Sequence, residues 1–319
     1  MRINKEPQEQ NAHKLLLLII LIIVCLGKSR AQAKYFILED TSVNYQVHQV
    51  SMSAKELYGI EAKVECFNIL YDGYALDKKV VKKDYDQNLI LFSALPDMQG
   101  KESWKEIVLD SIQKSLIDFG ALNKLFESHT YSLFFDKYGS KTKFLNDYKI
   151  IVKRNSKLYT PAICLLQFYA IRNRPDIFTN PFGTINTHLK SISVKQVEKI
   201  YKDRYPYSNF PVYGIGECPE RLESFDRIRD RREYLSKKID LKTGETRYQF
   251  WTFTDWFQHR HNYELERGID RFIYTAEKGI IGGSFDFYFY FHRKKLPIKY
   301  TDFLNNIKEE KVMMADGYK

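Results

Sequence analysis

The chain has 319 residues, 15% of them aromatic, and a formal net charge of +10. That length is enough for a large buried core, in two domains or one elaborate one. The charge is interspersed: the densest run, Glu220–Glu233, sets five arginines against five carboxylates and reads as a solvated, ion-paired helix face, which argues against nucleic acid as a partner.

Leu15–Leu26 is an unbroken apolar run, LLLLIILIIVCL. It fits the core of a secretory signal and is shorter than the roughly 20 residues that span a bilayer as a helix. Arg2, Lys5 and Lys14 precede it, and Ala31-Gln32-Ala33 places small side chains where signal peptidase requires them. Residues 1–33 are therefore expected to be a cleaved export signal, with Lys34 as the new N-terminus. The product would be periplasmic, outer-membrane-associated or extracellular, with no integral membrane span. Lys28 and Arg30 lie between the apolar run and the cut, which keeps open an uncleaved anchor in the inner membrane with a cytoplasmic N-terminus. Val24 stands where lipidation of Cys25 would need a small residue. Cleavage removes five basic and two acidic side chains and leaves a charge of +7. It also leaves three cysteines, Cys66, Cys164 and Cys218, an odd number that excludes a disulfide framework. If one bridge forms, Cys66–Cys218 is the expected pair.

Residues 35–95 read as mostly strand: Lys63–Leu70 alternates, Asp72-Gly73 is a hairpin signal and Leu89–Ser93 is a short apolar run. Residues 103–119 predict a helix. Ser103 and Glu106 have capping-box spacing, Trp104, Ile107, Val108, Ile112, Leu116 and Phe119 recur on one face, and Gly120 suits the C-terminal cap. Tyr131–Phe135 and Thr142–Val152 then predict two strands around the turn Asp136–Ser140. Thr160-Pro161 predicts the start of a second helix, in which Ala162–Ile171, Cys164 included, is apolar nearly all round.

The centre of this stretch, Ser132-Leu-Phe-Phe-Asp-Lys-Tyr-Gly-Ser-Lys-Thr-Lys-Phe144, together with the order helix, strand, glycine turn, strand, helix, resembles the hairpin region of TonB C-terminal modules. The resemblance covers about 70 residues, 103–171. The chain departs from that family in lacking its proline-rich periplasmic linker and in carrying a signal that reads as cleavable. The resemblance implies a small envelope-side binding module and not energy transduction, and no functional residue carries over.

Five prolines fall in residues 173–220, which read as an irregular connection holding one short helix, Val194–Lys202, with Ser193 as its cap and Gln196 in the capping-box position. The expected organisation is α+β: a mixed domain of antiparallel strands and helices over 34–175, a proline-containing connection over 176–210, and a β-rich domain over 211–319. The last would hold two hairpins. Tyr234–Ile239 and Arg247–Thr252 flank Lys242-Thr-Gly244; Ile269–Thr275 and Ser284–His292 flank Lys278-Gly279 and Gly282-Gly283. On the final strand, Phe285, Phe287, Phe289 and Phe291 would face the core, with Asp286, Tyr288, Tyr290 and His292 on the opposite face.

Three constellations could carry chemistry. His259 and His261, with Glu264 nearby, have the composition of a metal site. On a strand both imidazoles share a side, whereas on a helix they diverge by about 200°, and zinc needs three or four convergent ligands; an exposed polar segment between hairpins is the competing reading, and no metal or cofactor is assigned. Cys218, in Tyr213-Gly-Ile-Gly-Glu-Cys218-Pro219, would be a catalytic nucleophile only if the fold brought His259 or His261 beside it; a turn holding a structural cysteine is the alternative. Trp251, Trp256, Tyr288 and Tyr290, with Asp286 and His292, are the candidate binding surface, since aromatic faces anchor partners; ordinary sheet packing is the alternative. No G-x-S-x-G, H-E-x-x-H, Walker or EF-hand pattern is present. The function expected is that of an exported cell-envelope protein binding a protein or polymer partner. A secreted hydrolase with a Cys/His or metal site and a structural subunit of an envelope assembly are the alternatives.

Overall fold

The computed structural model describes residues 33–39, 41–72, 86–100, 102–135, 144–173, 183–204, 206–207, 232–258 and 265–318. Residues 1–32 of the expected signal sequence, the Asp136–Ser140 turn, residues 176–182, 205 and 208–210 of the proline-containing connection, and Gly73, Cys218, His259, His261 and Glu264 lie outside them. The described chain is α+β, with five helices and three mostly antiparallel sheets. None of its helices is long and apolar enough to cross a membrane.

The central sheet organises the molecule. It comprises β2 (Gln46–Ser53), β3 (Lys63–Asp72), β4 (Asp86–Leu95) and β10 (Ile163–Arg172), in the order β10-β4-β3-β2. β7 (Phe144–Leu145) and β11 (Thr184–Ile185) join the outer edge of β10. Side chains of a strand alternate between faces, and here both faces are buried. Val64, Cys66, Leu70, Leu89, Leu91, Leu165 and Tyr169 point into one core, and Phe67, Ile69, Tyr71, Ile90, Phe92, Cys164, Leu166 and Phe168 into another.

The second core is closed by a smaller sheet, in the order β5 (Trp104–Glu106), β9 (Lys157–Pro161), β8 (Tyr148–Arg154), β1 (Lys34–Ile37), β6 (Leu116–Ile117). Helix α2 (Phe119–Phe135) adds Leu122 and Phe126 to it. The first core is closed by the C-terminal sheet, a meander of β12 (Arg232–Asp240), β13 (Thr246–Gln258), β14 (Leu265–Thr275), β15 (Gly279–Gly283) and β16 (Met313–Met314). Residues on both sides of position 210 thus share one hydrophobic core. A polar clasp fixes this junction. Asn68 on β3 donates from Nδ2 to the Ile280 carbonyl at 3.0 Å and accepts from the Ile280 N–H at 2.8 Å. Gly279, at φ +76°, is where a Cβ would lie 2.6 Å from Asn68 Oδ1.

Several local expectations are met. Helix α3 (Val194–Arg204) starts on the expected capping box: Gln196 Oε1 accepts from the Ser193 N–H at 2.7 Å, and Ser193 Oγ accepts from the Gln196 N–H at 3.2 Å. Ser193→Ala is expected to cost about 1 kcal/mol, the usual worth of an N-cap, read as a shift in the urea midpoint. The β12–β13 hairpin turns at Lys242-Thr-Gly244 as its turn chemistry requires.

Five expectations are corrected. Residues 103–119 are not a helix but β5, two short 3-10 turns and β6. The helix begins at Phe119, with Asp118 Oδ1 accepting from the Ala121 N–H at 2.7 Å, and it includes Tyr131–Phe135, expected as strand. Glu106, instead of capping, pairs with Lys157 at 2.8 Å. The apolar run at 162–171 is strand β10, not a helix, and Thr160-Pro161 ends strand β9. A strand buried on both faces shows no alternation, so its sequence is as uniformly apolar as that of a core helix. The strand expected at 284–292 is a six-residue helix, α4 (Asp286–Phe291), and the partner of β14 is Gly279–Gly283. Finally, Cys66 is a free thiol in the core, 3.3 Å from Ser93 Oγ, so the expected bridge from Cys66 is absent; Cys164 is likewise free and buried. Burial pushes both thiols up to about 12, which leaves them protonated and unreactive.

Candidate functional site

On a helix, Asp286, Tyr288, Tyr290 and His292 are no longer one face, and three of them are buried. The Tyr288 hydroxyl donates to the Pro96 carbonyl at 2.6 Å. Tyr290 packs beneath the Arg293 guanidinium, 4.2 Å from the ring centre. His292, at the C-terminal end of α4, sits with its ring centre 4.7 Å from that of Tyr288. Trp251 is fully buried, stacked on Tyr234 at 4.3 Å, and its indole N–H donates to the Ile192 carbonyl at 2.8 Å. Trp256 lies in β13, where the pairing with β14 shifts register. Of the set expected as a binding surface, Trp251, Asp286, Tyr288 and Tyr290 are thus buried. Among the described residues no group of three or more His, Cys, Asp or Glu side chains is placed to hold a metal ion.

Among the described carboxyl groups, that of Asp286 is strongly perturbed by burial. Its carboxylate pairs with Arg271 on β14, and the two side chains are 2% and 0% exposed. Asp286 also accepts from the Tyr58 hydroxyl at 2.7 Å, and that same hydroxyl accepts from the Phe285 N–H at 2.8 Å. Tyr58 belongs to α1 (Lys55–Tyr58), and its ring stacks on Phe289 at 3.8 Å. The remaining Arg271 donors reach the Ile269 and Lys311 carbonyls at 2.8–3.1 Å. Burial pushes the Asp286 carboxyl up to about 6, against the opposing pull of Arg271. Perturbed carboxyls often mark active sites, but the adjoining void is about 20 Å³, room for about one water. This cluster is a structural lock joining α1, α4 and β14.

An open concavity lies elsewhere, at the end of the central sheet where β2 starts and β3 ends. It is a groove of about 800 Å³. Its floor is aromatic: Phe119, at the first turn of α2, stands 4.9 Å from Tyr45 and 5.0 Å from Tyr71 between ring centres. Its rim carries Ser42, Asn44, Gln46, Asp72, Gln87 and Glu277, the last from the β14–β15 turn. Val43 is fully exposed at the lip. Burial pushes both tyrosine phenols up, so each stays a neutral hydroxyl at physiological pH. Among the described residues, the lining holds amides, hydroxyls, two carboxylates and aromatic edges, and no Lys, Arg, His or Cys. Such a set offers hydrogen-bond donors and acceptors over an apolar floor.

Sequence reasoning missed this groove because its residues come from five separate segments. The one legible trace was Asp72 as a turn residue. In comparison with known proteins, the chain matches no family model, no curated protein and no solved structure.

Proposed function

We propose that the chain is an exported protein of the cell envelope that acts by binding a protein or polymer partner in the groove between β2, β3 and the start of α2. The observation that carries this reading is the groove's composition. An aromatic floor flanked by Ser42, Asn44, Gln46 and Gln87 offers hydrogen bonds in both directions, which suits an extended, polar partner. The apolar run and A-x-A pattern of residues 15–33 support export, and Asp72 and Glu277 favour a partner that is neutral or cationic where it meets the groove.

The test is recovery of a partner from envelope extract by immobilised wild-type chain and by the Asn44→Ala/Gln46→Ala/Glu277→Ala variant. These side chains are exposed, so the variant is expected to fold with an unchanged thermal midpoint. Three lost hydrogen-bonding groups at about 0.5–1.5 kcal/mol each predict a fall in affinity of about tenfold or more. Equal recovery by the two proteins would rule out the groove as the binding site.

A further inference from the structure

At the other end of β2 from the groove, about 25 Å away along eight residues of strand, the chain forms a second concavity of different chemistry. It is an apolar notch of about 230 Å³ between the 3-10 turn Arg293–Lys295 and α5 (Tyr300–Lys308). Leu296, Ile298 and Phe303 make its floor; Arg293, Lys294 and Tyr300 make its walls. The floor is fixed from below. Gly59, which ends α1 at φ +74°, is where a Cβ would lie 2.8 Å from both Pro297 and Ile298, so the segment that carries the notch is pressed directly onto backbone.

The sequence around the notch is unbalanced in charge. From Phe287 to Thr301 there are four cations, Arg293, Lys294, Lys295 and Lys299, and no carboxylate. Arg293 is held by its contact with the Tyr290 ring and by donating to the Tyr290 carbonyl at 3.0 Å, and Lys295 donates to the Met98 carbonyl at 3.0 Å. Among the described residues none of the four forms an ion pair with a carboxylate. Beside them, Phe291 is 44% and Tyr300 40% exposed.

We propose that this notch docks the protein on an anionic lipid surface, with an acyl chain or its upper segment over Leu296, Ile298 and Phe303 and lipid phosphates against Arg293, Lys294 and Lys299. Charge complementarity and the apolar floor together select this occupant. A cationic rim attracts any polyanion, but a polysaccharide brings little apolar surface to the floor, where Ile298 is half-buried and Leu296 and Phe303 are 9% and 3% exposed. Exposed aromatics beside lysines and arginines are the residues that settle at the boundary between headgroups and acyl chains. The notch and the groove lie at opposite ends of β2, so the groove stays open to a partner while the notch faces the membrane, and docking does not depend on what the groove binds.

The test uses the full chain with vesicles of phosphatidylcholine alone and of phosphatidylcholine with phosphatidylglycerol. Flotation is measured for wild type and for Lys294→Glu/Lys299→Glu, two exposed positions that leave the floor intact. Attraction of about 1 kcal/mol per basic residue near an anionic surface predicts at least about a 30-fold loss of affinity for the anionic vesicles in the variant, and wild-type binding that weakens as salt rises from about 0.05 M to about 0.5 M. Amide exchange of vesicle-bound wild type gives the local readout, with protection expected across 291–303. That readout separates the notch from any attachment through the apolar run at 15–26. Bound protein without protection at 291–303, equal binding by the variant, or equal binding to neutral vesicles would overturn the proposal. So would displacement by millimolar inorganic phosphate, which would make the notch a site for free anions.

Discussion

Asp286→Ala is expected to lower the free energy of unfolding by about 3–5 kcal/mol at neutral pH, the usual cost of removing one member of a buried ion pair. The loss comes from what remains: the Arg271 guanidinium, fully buried, would have no anion, and the Tyr58 hydroxyl would lose its acceptor. Arg271→Met is expected to cost a similar amount for the mirror-image reason. The double variant Asp286→Ala/Arg271→Met is expected to lose much less than the sum of the two single losses, because no uncompensated charge is then left in the core. Urea unfolding of the four proteins measures this; full additivity of the two losses would mean that the pair is not coupled.

The same carboxyl predicts a pH dependence. Burial raises it to about 6 from an ordinary 3.8, so between those values the folded chain holds a proton that the unfolded chain has released. Stability linked to this group therefore falls as pH rises from about 4 to about 6 and is level above. Asp286→Asn removes the titrating group, and its urea midpoint is expected to lack that slope relative to wild type.

Trp251→Ala is expected to cost about 3–5 kcal/mol, as for other fully buried large aromatic side chains, and to leave binding in the groove unchanged in whatever fraction folds. The ring is 0% exposed and stacks on Tyr234, so truncation opens a cavity between the C-terminal sheet and the segment before α3. Trp251→Phe keeps an aromatic ring in the stack but orphans the Ile192 carbonyl, and a cost of about 1–3 kcal/mol is expected. Thermal and urea unfolding distinguish this from a binding role. A contact residue for a partner would lose affinity on truncation with little change in stability.

How far each element could be read depends on where its partners lie. The capping box of α3 was legible because Ser193 and Gln196 serve each other across one turn. The Lys242-Thr-Gly244 hairpin was legible for the same local reason. Residues 103–119 carry an equally good helical pattern, yet Trp104 is taken by distant strands. Its indole N–H donates to Glu65 at 2.7 Å, and the Arg154 guanidinium lies 4.1 Å over the ring while reaching the same carboxylate at 2.7 Å. Glu65 lies 39 positions from Trp104 and 89 from Arg154, so no local window contains this competition.

The aromatic segment Phe285–Phe291 shows the limit most clearly. It alternates Phe with Asp or Tyr, which is a strand pattern by period. Every member but Asp286 is also large and largely apolar, so the period carries little information about which face is core. The helix is set by its neighbours: Tyr58 accepts from the Phe285 N–H, Asp286 turns inward to Arg271, and the Tyr288 hydroxyl finds the Pro96 carbonyl. The candidate sites follow the same rule. The cationic notch draws on residues 293–303, a short stretch whose charge imbalance is visible in the sequence, although only folding shows that Leu296 and Phe303 share its floor. The groove joins residues 42–46, 70–72, 87, 119 and 276–277, which nothing in their spacing relates.

By itself, then, the sequence determined the α+β class, the cap of α3 and the first C-terminal hairpin, because hydrogen bonds between near neighbours decide those features. The tertiary structure alone decided that β10 is a strand, that α4 is a helix and that the aromatic set on α4 is core. Those choices turn on burial on two faces and on side chains that meet across more than 200 positions, where long-range packing outweighs local propensity.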